Sequence, residues 1–387
     1  MHATKLRRAT FEVEMQQSLN HRLLLPLLAF CLLGKLGVSQ EQVMPPLLWT
    51  PSEYRVSGGY ALPHRDAMHA LVTGHAWSGS VIWGKHVEGG WASHGHRTGT
   101  WQGLELAGTY AGSEELGWIA HAIWLNRWPI SGKVFSEFGL GLAWATSPFD
   151  AIEAPRSFAL GSHANAALRI NVGYAWSIRQ LGSLQLAAGL THFSNGSVAL
   201  PNLGMNLIGV HCTFIPLEHQ EKPRTKTMTT PPLTEQNRGL HFETTLRVGI
   251  RDTGLPGGVV HPTTSWMNSV HYRHRERHNW SWSAAFDLGF NQSLRVNGSP
   301  DAASDPSRRL QSALLIGARC HYGRMALTLM EGWMLTEQDK ELGKRHLHTA
   351  LQYAVTPDWR IELGLRSFRL RADSPFLGFV WHPRRLG

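Results

Sequence analysis

Long apolar runs are missing from this chain of 387 residues. Beyond an N-terminal leader, none reaches the roughly 18 uninterrupted apolar residues that a membrane helix needs, which argues against a helical membrane protein and leaves strands as the way to cross one. Cysteine is almost absent: Cys31 falls in the leader, and Cys212 and Cys320 are too few for a disulfide scaffold and lack metal-ligand spacing. They read as small apolar residues. Charge is sparse at 17 % against 42 % hydrophobic residues, which excludes a disordered chain. There is no His-Glu-x-x-His, phosphate-binding glycine loop or Gly-x-Ser-x-Gly elbow, so zinc-hydrolase and nucleotide chemistry are disfavoured, and no metal or other cofactor is expected.

What is abundant is Gly (39), Trp (16) and His (22), a mixture suited to strands with aromatic surfaces rather than to helices. Lys5, Arg7, Arg8 and Arg22 precede an apolar run from Leu23 to Leu33 broken by Pro26. Gly37 and Ser39 then supply small residues at −3 and −1 for a cut before Gln40, so 1–39 read as a signal peptide, with Met15 as an alternative start. Phe30 stands before Cys31 where a lipoprotein signal needs a small residue, which speaks against a lipid anchor. Without the leader, 32 basic and 26 acidic residues leave a net charge of +6. On an exported protein that balance suits anionic or phosphorylated glycolipid better than nucleic acid, and scattered solubilising charge explains it equally well.

Period-2 alternation is the main structural signal. Ala164, Ala166, Leu168, Ile170, Val172, Tyr174, Trp176 and Ile178 fall on one face of a strand, and His163, Asn165, Arg169, Asn171, Ser177 and Arg179 on the other. Val134, Phe138, Leu140, Leu142 and Trp144 likewise oppose Lys133, Glu137, Gly139 and Gly141. Later, Phe242, Leu246, Val248 and Ile250 alternate with His241, Glu243, Arg247 and Arg251. Trp282, Ala284, Phe286, Leu288 and Phe290 alternate with Ser281, Ser283, Asp287 and Asn291. Strands this long, with charge and glycine along one face, predict an all-β fold: a transmembrane antiparallel β-barrel, apolar outside and polar inside, in the bacterial outer membrane. A secreted sandwich is the alternative. Arg169, Arg179, Arg247 and Arg251 are expected in the lumen, and Trp118, Trp124, Trp128, Trp144, Tyr174 and Trp176 in interfacial girdles.

The alternation counts about eight strands before residue 216 and seven or eight after 240, flanking a Pro- and Thr-rich polar segment, 217–239. The expected organisation is a barrel unit over 40–216, a linker, and a strand-rich region over 240–387. Two sheets and one larger barrel of roughly 14–16 strands both fit this pattern.

Chemistry concentrates between Leu184 and Phe214. Leu184, Leu186, Ala188, Leu190, His192 and Ser194 share one outward row, so an apolar row ends in a His and a Ser. After a turn at Gly196–Asn202, the returning row of Gly204, Asn206, Ile208, Val210, Cys212 and Phe214 brings Asn206 to the same face. With a periplasmic N-terminus the first of these strands is the seventh and rises, which places the cluster at the extracellular rim. Ser194 needs a base, His192 can serve, and Asn206 can orient the imidazole, though without a carboxylate's charge. The side-chain amides of Asn195 and Asn202 are candidate oxyanion donors.

The string His192-Phe193-Ser194-Asn195-Gly196, followed by Pro201-Asn202-Leu203-Gly204-Met205-Asn206, resembles the signature of the lipid A 3-O-deacylase family (PagL-like, acyloxyacyl hydrolase-type). The resemblance implies catalytic roles for His192 and Ser194, an oxyanion-hole association for Asn195 and Asn202, and lipid A or lipopolysaccharide as substrate among outer-membrane lipids. Asn206 departs from the best-known members, which carry a Glu there. The Tyr60–His75 stretch, with Tyr-Ala-Leu-Pro-His-Arg, is similar to longer members from Bacteroidetes-type bacteria. The function expected is an outer-membrane serine esterase that removes the 3-O-linked acyl chain of lipid A. The alternative, motivated by Asn206, is a catalytically inactive structural or pore-forming barrel.

Two histidine clusters compete for attention. His271, His274 and His278 are interleaved with Arg273, Arg275 and Arg277, which would repel a metal cation, so the segment is expected to be a solvated turn. His94 and His96, near Trp91, read as loop histidines.

Overall fold

The computed structural model describes residues 51–86, 101–219, 239–252, 260–273, 280–295, 309–322, 325–336, 343–369 and 371–383. The leader, His94 and His96, and most of the polar segment 217–239 lie outside the described residues. Sixteen strands follow in order: β1 Glu53–Ala61, β2 Ala76–His86, β3 Trp101–Tyr110, β4 Trp118–Ser131, β5 Val134–Ala145, β6 Ala164–Ile178, β7 Gly182–Ser194, β8 Met205–Pro216, β9 Gly239–Asp252, β10 Val260–Arg273, β11 Trp280–Asn291, β12 Leu310–Tyr322, β13 Met325–Met334, β14 Arg345–Ala354, β15 Trp359–Phe368 and β16 Arg371–Trp381.

They form two closed barrels of eight antiparallel strands each, not one larger barrel. β8 returns to pair with β1, with Tyr60 opposite Ile208, and β16 returns to β9, with Leu377 opposite Val248. Closure leaves neither sheet an open edge, the condition for a sheet in lipid. It is set by these long-range pairings, which alternation along a strand does not encode.

The alternation sorts side chains as expected. Leu142, Ile170, Val172, Leu246, Val248 and Phe286 are exposed outward, while Glu137, Asn171, Arg169, Glu243, Arg247 and Ser283 are buried. Aromatic residues gather at both ends of the first barrel. Trp77, Tyr110 and Trp118 pack together at one rim and Tyr174 against Trp176 at the other, as interfacial girdles require. Arg179 is an exception to the expected lumenal set: it is exposed in the tight turn between β6 and β7, because the strand ends at Ile178. His271 corrects the expectation of a turn. β10 extends to Arg273, so His271 points inward, with Nδ1 2.7 Å from Ser283 Oγ and Nε2 3.4 Å from Glu243. His274 and His278 lie outside the described residues.

The described interiors are filled. In the first barrel Arg55 pairs with Glu137 at 2.7 Å and with Glu105 at 3.5 Å. Arg127 pairs with Glu53 at 3.0 Å and Glu137 at 2.8 Å, and Arg169 pairs with Glu105. Three guanidinium groups and three carboxylates thus neutralise one another in a space that an eight-stranded barrel leaves only wide enough for side chains. In the second, Glu243 receives Arg319 at 2.8 Å and Arg360 at 2.9 Å. These networks set paired charged side chains across the interiors of both barrels.

One end of the first barrel is capped by apolar residues. The connection from β1 to β2 carries a short 3-10 turn, Asp66–Ala70, that delivers Met68, and Leu71 follows it. Leu116 and Leu160 come from the next two connections at that end, and Phe193 and Met205 from the strands beneath. Phe193 is wholly buried against this cluster, with its ring centroid 5.4 Å from that of His121. Truncation by Phe193→Ala leaves a cavity there and is expected to cost about 3–5 kcal/mol, measured as a lower midpoint of urea unfolding in detergent micelles. An unshifted midpoint would show that the cap does not depend on this ring.

Candidate active site

β7 ends with His192, Phe193 and Ser194, and period-2 geometry divides the three. Because Phe193 fills the apolar cap, His192 and Ser194 must face outward. His192 lies directly opposite Asn206 across the ladder from β7 to β8, and its Nδ1 is 2.6 Å from Asn206 Oδ1. An amide oxygen only accepts, so Nδ1 carries the ring hydrogen and Nε2 keeps its lone pair.

The imidazole has room because residue 204 is glycine. Gly204 has φ +76°, and a Cβ there would stand 2.9 Å from His192 Cε1. Its amide hydrogen-bonds Ala159 O at 2.9 Å, which holds the returning chain against the connection between β5 and β6.

Ser194 Oγ accepts two hydrogen bonds, from Asn202 Nδ2 at 2.8 Å and from the Gly196 amide at 3.1 Å. With both acceptor positions used, the hydroxyl hydrogen is free to point elsewhere. His192 shares the outward face but is joined to Ser194 by no hydrogen bond among the described contacts. A base–nucleophile contact that tightens only when substrate binds is common in unliganded sites.

Of the five residues expected from sequence, His192 is joined to Asn206 and Ser194 to Asn202, and the two pairs share the outer face of the β7 end without a described hydrogen bond between them. Asn195 joins neither pair. Its amide donates to Ser162 Oγ at 3.0 Å and Ala199 O at 2.9 Å, and its Oδ1 accepts the Ser197 amide at 2.9 Å, so the side chain braces the loop and aims away from Ser194. The donor beside Asn202 is the backbone amide of Gly196. An Asn-Gly-Ser turn is the signal for this, since Asn in a turn characteristically binds its own backbone two residues on.

The second barrel holds the same loop. Ser197 Oγ donates to Ala372 O at 2.7 Å, the Leu200 amide donates to Asp252 Oδ2 at 2.8 Å, and the Asp252 amide reaches Ser197 O at 3.3 Å. A Cβ on Gly196 would lie 3.4 Å from Pro375 and 3.6 Å from Leu365. The loop between β7 and β8 is therefore fixed from both sides, by β5–β6 of its own barrel and by the ends of β9 and β16 of the other.

Sequence reasoning missed His64. Its Nδ1 is 3.1 Å from Asn206 Nδ2 and its Nε2 3.0 Å from Leu203 O. The signal was available in principle, because in a closed eight-stranded barrel the residues after β1 adjoin the start of β8.

Residues 73–214 match the family model described as lipid A 3-O-deacylase (PagL), and residues 241–385 match the one described as acyloxyacyl hydrolase, C-terminal domain. No curated protein matches the chain. Among solved structures, the outer membrane enzyme PagL is 16 % identical, covering 42 % of this chain and 98 % of its own, with a TM-score of 0.31. A Rhodopseudomonas blastica porin triple mutant is 10 % identical, covering 86 % of this chain and 99 % of its own, at 0.19. The Acinetobacter baumannii outer membrane protein Omp33 is 7 % identical, with 86 % and 99 % coverage, at 0.18.

The Gly204→Ala protein is expected to lose about tenfold or more in turnover, since the added methyl forces the imidazole to move and a small misplacement in a catalytic group is enough for such a loss. Gly58→Ala, where a Cβ meets nothing within 4 Å, serves as the neutral control. Equal activity in the two variants, assayed at equal membrane levels, would contradict this geometry.

Proposed function

We propose that this chain, which belongs to the lipid A 3-O-deacylase (PagL) family, is a serine esterase of the outer membrane that removes the 3-O-linked acyl chain of lipid A, with Ser194 as the nucleophile and His192 as the general base. The observation that carries the reading is the convergence on Ser194 Oγ of Asn202 Nδ2 and the Gly196 amide, next to an imidazole whose tautomer Asn206 sets.

The chemistry follows from these atoms. His192 Nε2 takes the Ser194 proton as Oγ attacks the ester carbon, and the carbonyl π pair moves to oxygen. The two N–H groups that contact Oγ lie within reach of the oxygen on an adjacent acyl carbon, and they supply the oxyanion donors. Collapse breaks the bond to the sugar oxygen, which leaves as a hydroxyl with the proton from His192. Water then attacks the acyl-serine by the same route, and a free fatty acid and the original serine result. An ester carbonyl requires no more than this.

Placement supports a lipid substrate. Leu184, Leu186, Ala188 and Leu190 continue the outward row of His192 and Ser194 along β7. An acyl chain lying along that row and a polar headgroup at the rim would set the ester bond between them. This orientation puts the rim of β7 at the extracellular face; the connections 62–75, 111–117, 146–163 and 195–204 lie at that end, and 87–100, 132–133 and 179–181 at the other.

Asn206 lowers the rate, because an amide cannot stabilise the imidazolium as a carboxylate does. Asn206→Glu is therefore expected to raise turnover about tenfold or more. Mass spectrometry of lipid A from cells expressing the wild type, Ser194→Ala and Asn206→Glu at matched membrane levels tests both statements. Loss of one hydroxyacyl group with the wild type and Asn206→Glu but not with Ser194→Ala is the expected result, and unchanged lipid A with all three would refute the reading.

A further inference from the structure

We infer that His64 is a positioning residue for catalysis: it orients the Asn206 amide so that its oxygen, rather than its nitrogen, meets His192. The inference rests on the function proposed above and adds a further side chain to the site. His64 lies outside the segment that matches the deacylase family model, which begins at residue 73.

The need arises from the chemistry of asparagine. A carboxylate presents two equivalent oxygens, so either rotamer accepts from an imidazole N–H. An amide presents one oxygen and one NH2, and its flipped form would drive two N–H groups together and reverse the His192 tautomer, leaving Nε2 protonated and useless as a base. Whatever fixes the amide therefore fixes the base.

His64 is placed to do this. Its Nε2 is 3.0 Å from Leu203 O, a group that only accepts, so Nε2 carries the hydrogen and Nδ1 presents a lone pair. That lone pair lies 3.1 Å from Asn206 Nδ2 and accepts from it. The alternative tautomer would serve only the longer contact, Nδ1 to Leu62 O at 3.3 Å, while setting the lone pairs of Nε2 and Leu203 O against each other. The chain of donors thus runs one way: Asn206 Nδ2 to His64, His192 Nδ1 to Asn206 Oδ1, and Nε2 of His192 left with its lone pair.

The backbone keeps His64 in register. The Leu62 amide donates to Asn206 O at 2.7 Å, and β1 pairs with β8 up to Ala61 opposite Leu207. Pro63 follows directly, with its φ fixed, so the imidazole two residues beyond the ladder has a short and stiff connection to it.

The test uses His64→Ala and His64→Gln in the full-length chain, each with Asn206 and with Asn206→Glu, assayed for kcat and KM on lipid A in mixed micelles. His64→Ala is expected to lower kcat about tenfold, the scale set by one lost hydrogen bond, with KM within about twofold. His64→Gln should recover most of the loss, because its amide oxygen can accept from Asn206 while its NH2 serves Leu203 O. In the Asn206→Glu background the His64→Ala penalty should shrink at least threefold, since a carboxylate has no orientation to lose. Equal penalties in both backgrounds, or no rescue by Gln, would assign His64 a merely structural role and overturn the inference.

Ring 15N NMR of histidine-labelled protein in micelles reads the same claim without turnover. His192 should be a single Nδ1–H tautomer in the wild type and a mixture in His64→Ala. An unchanged His192 tautomer sinks the inference even if lipid A proves not to be the substrate, whereas a tautomer shift without lipid A cleavage would retain the inference and reject the substrate.

Discussion

The burial of one aromatic ring organises the site. Phe193 goes inward because an apolar cluster, closed by Met68, Leu71, Leu116, Leu160 and Met205, waits at that end of the barrel. Strand geometry then leaves its two neighbours no choice of face. His192 and Ser194 are set outward, two residues apart, at the level where the apolar outer row gives way to polar rim. A one-residue slip of β7 would bury both and expose the ring, so the hydrophobic register and the outward placing of the proposed catalytic pair are the same constraint.

Around that constraint the polar contacts form two sets with different tasks. One set serves the proposed chemistry: His64, Asn206 and His192 form one hydrogen-bonded row, and Asn202 and the Gly196 amide converge on Ser194 Oγ. The other set is mechanical: Asn195 ties the loop to itself and to Ser162, while Asp252 and Ala372 tie it to the second barrel. The second barrel thus has a physical connection to the site without contributing a reacting group. Its own interior is occupied by Glu243 and the arginines around it.

Much of this was legible in the sequence, for reasons that differ by element. β6 was readable almost to its ends, because a fifteen-residue strand in lipid must alternate without a break. The outward placing of His192, Ser194 and Asn206 followed from counting by twos. The eight-stranded barrel unit before residue 216 was expected, but the closure of the second half into a barrel of its own was not readable, since the partner of β9 lies at the far end of that half and the pattern of each strand is satisfied by any neighbour. Arg179 was misplaced because alternation does not announce where a strand stops. His271 was misread because its arginine-rich neighbours in sequence obscured an inward-facing strand residue. Asn195 shows the limit at atomic scale: it follows Ser194 directly in the chain, and only the hydrogen bonds of its turn reveal where the amide points. His64 stands 142 residues before Asn206, and barrel closure alone makes them neighbours.

The central claim is that Ser194 carries the acyl group during turnover. The most direct measurement is acid quenching of the purified protein during reaction with lipid A, followed by peptide mass spectrometry. The account predicts that the peptide bearing Ser194 is heavier by one hydroxyacyl chain and that this adduct is absent from Ser194→Ala and strongly reduced in His192→Ala. Acyl transfer to any other residue, or lipid A cleavage by the Ser194→Ala protein, would contradict it.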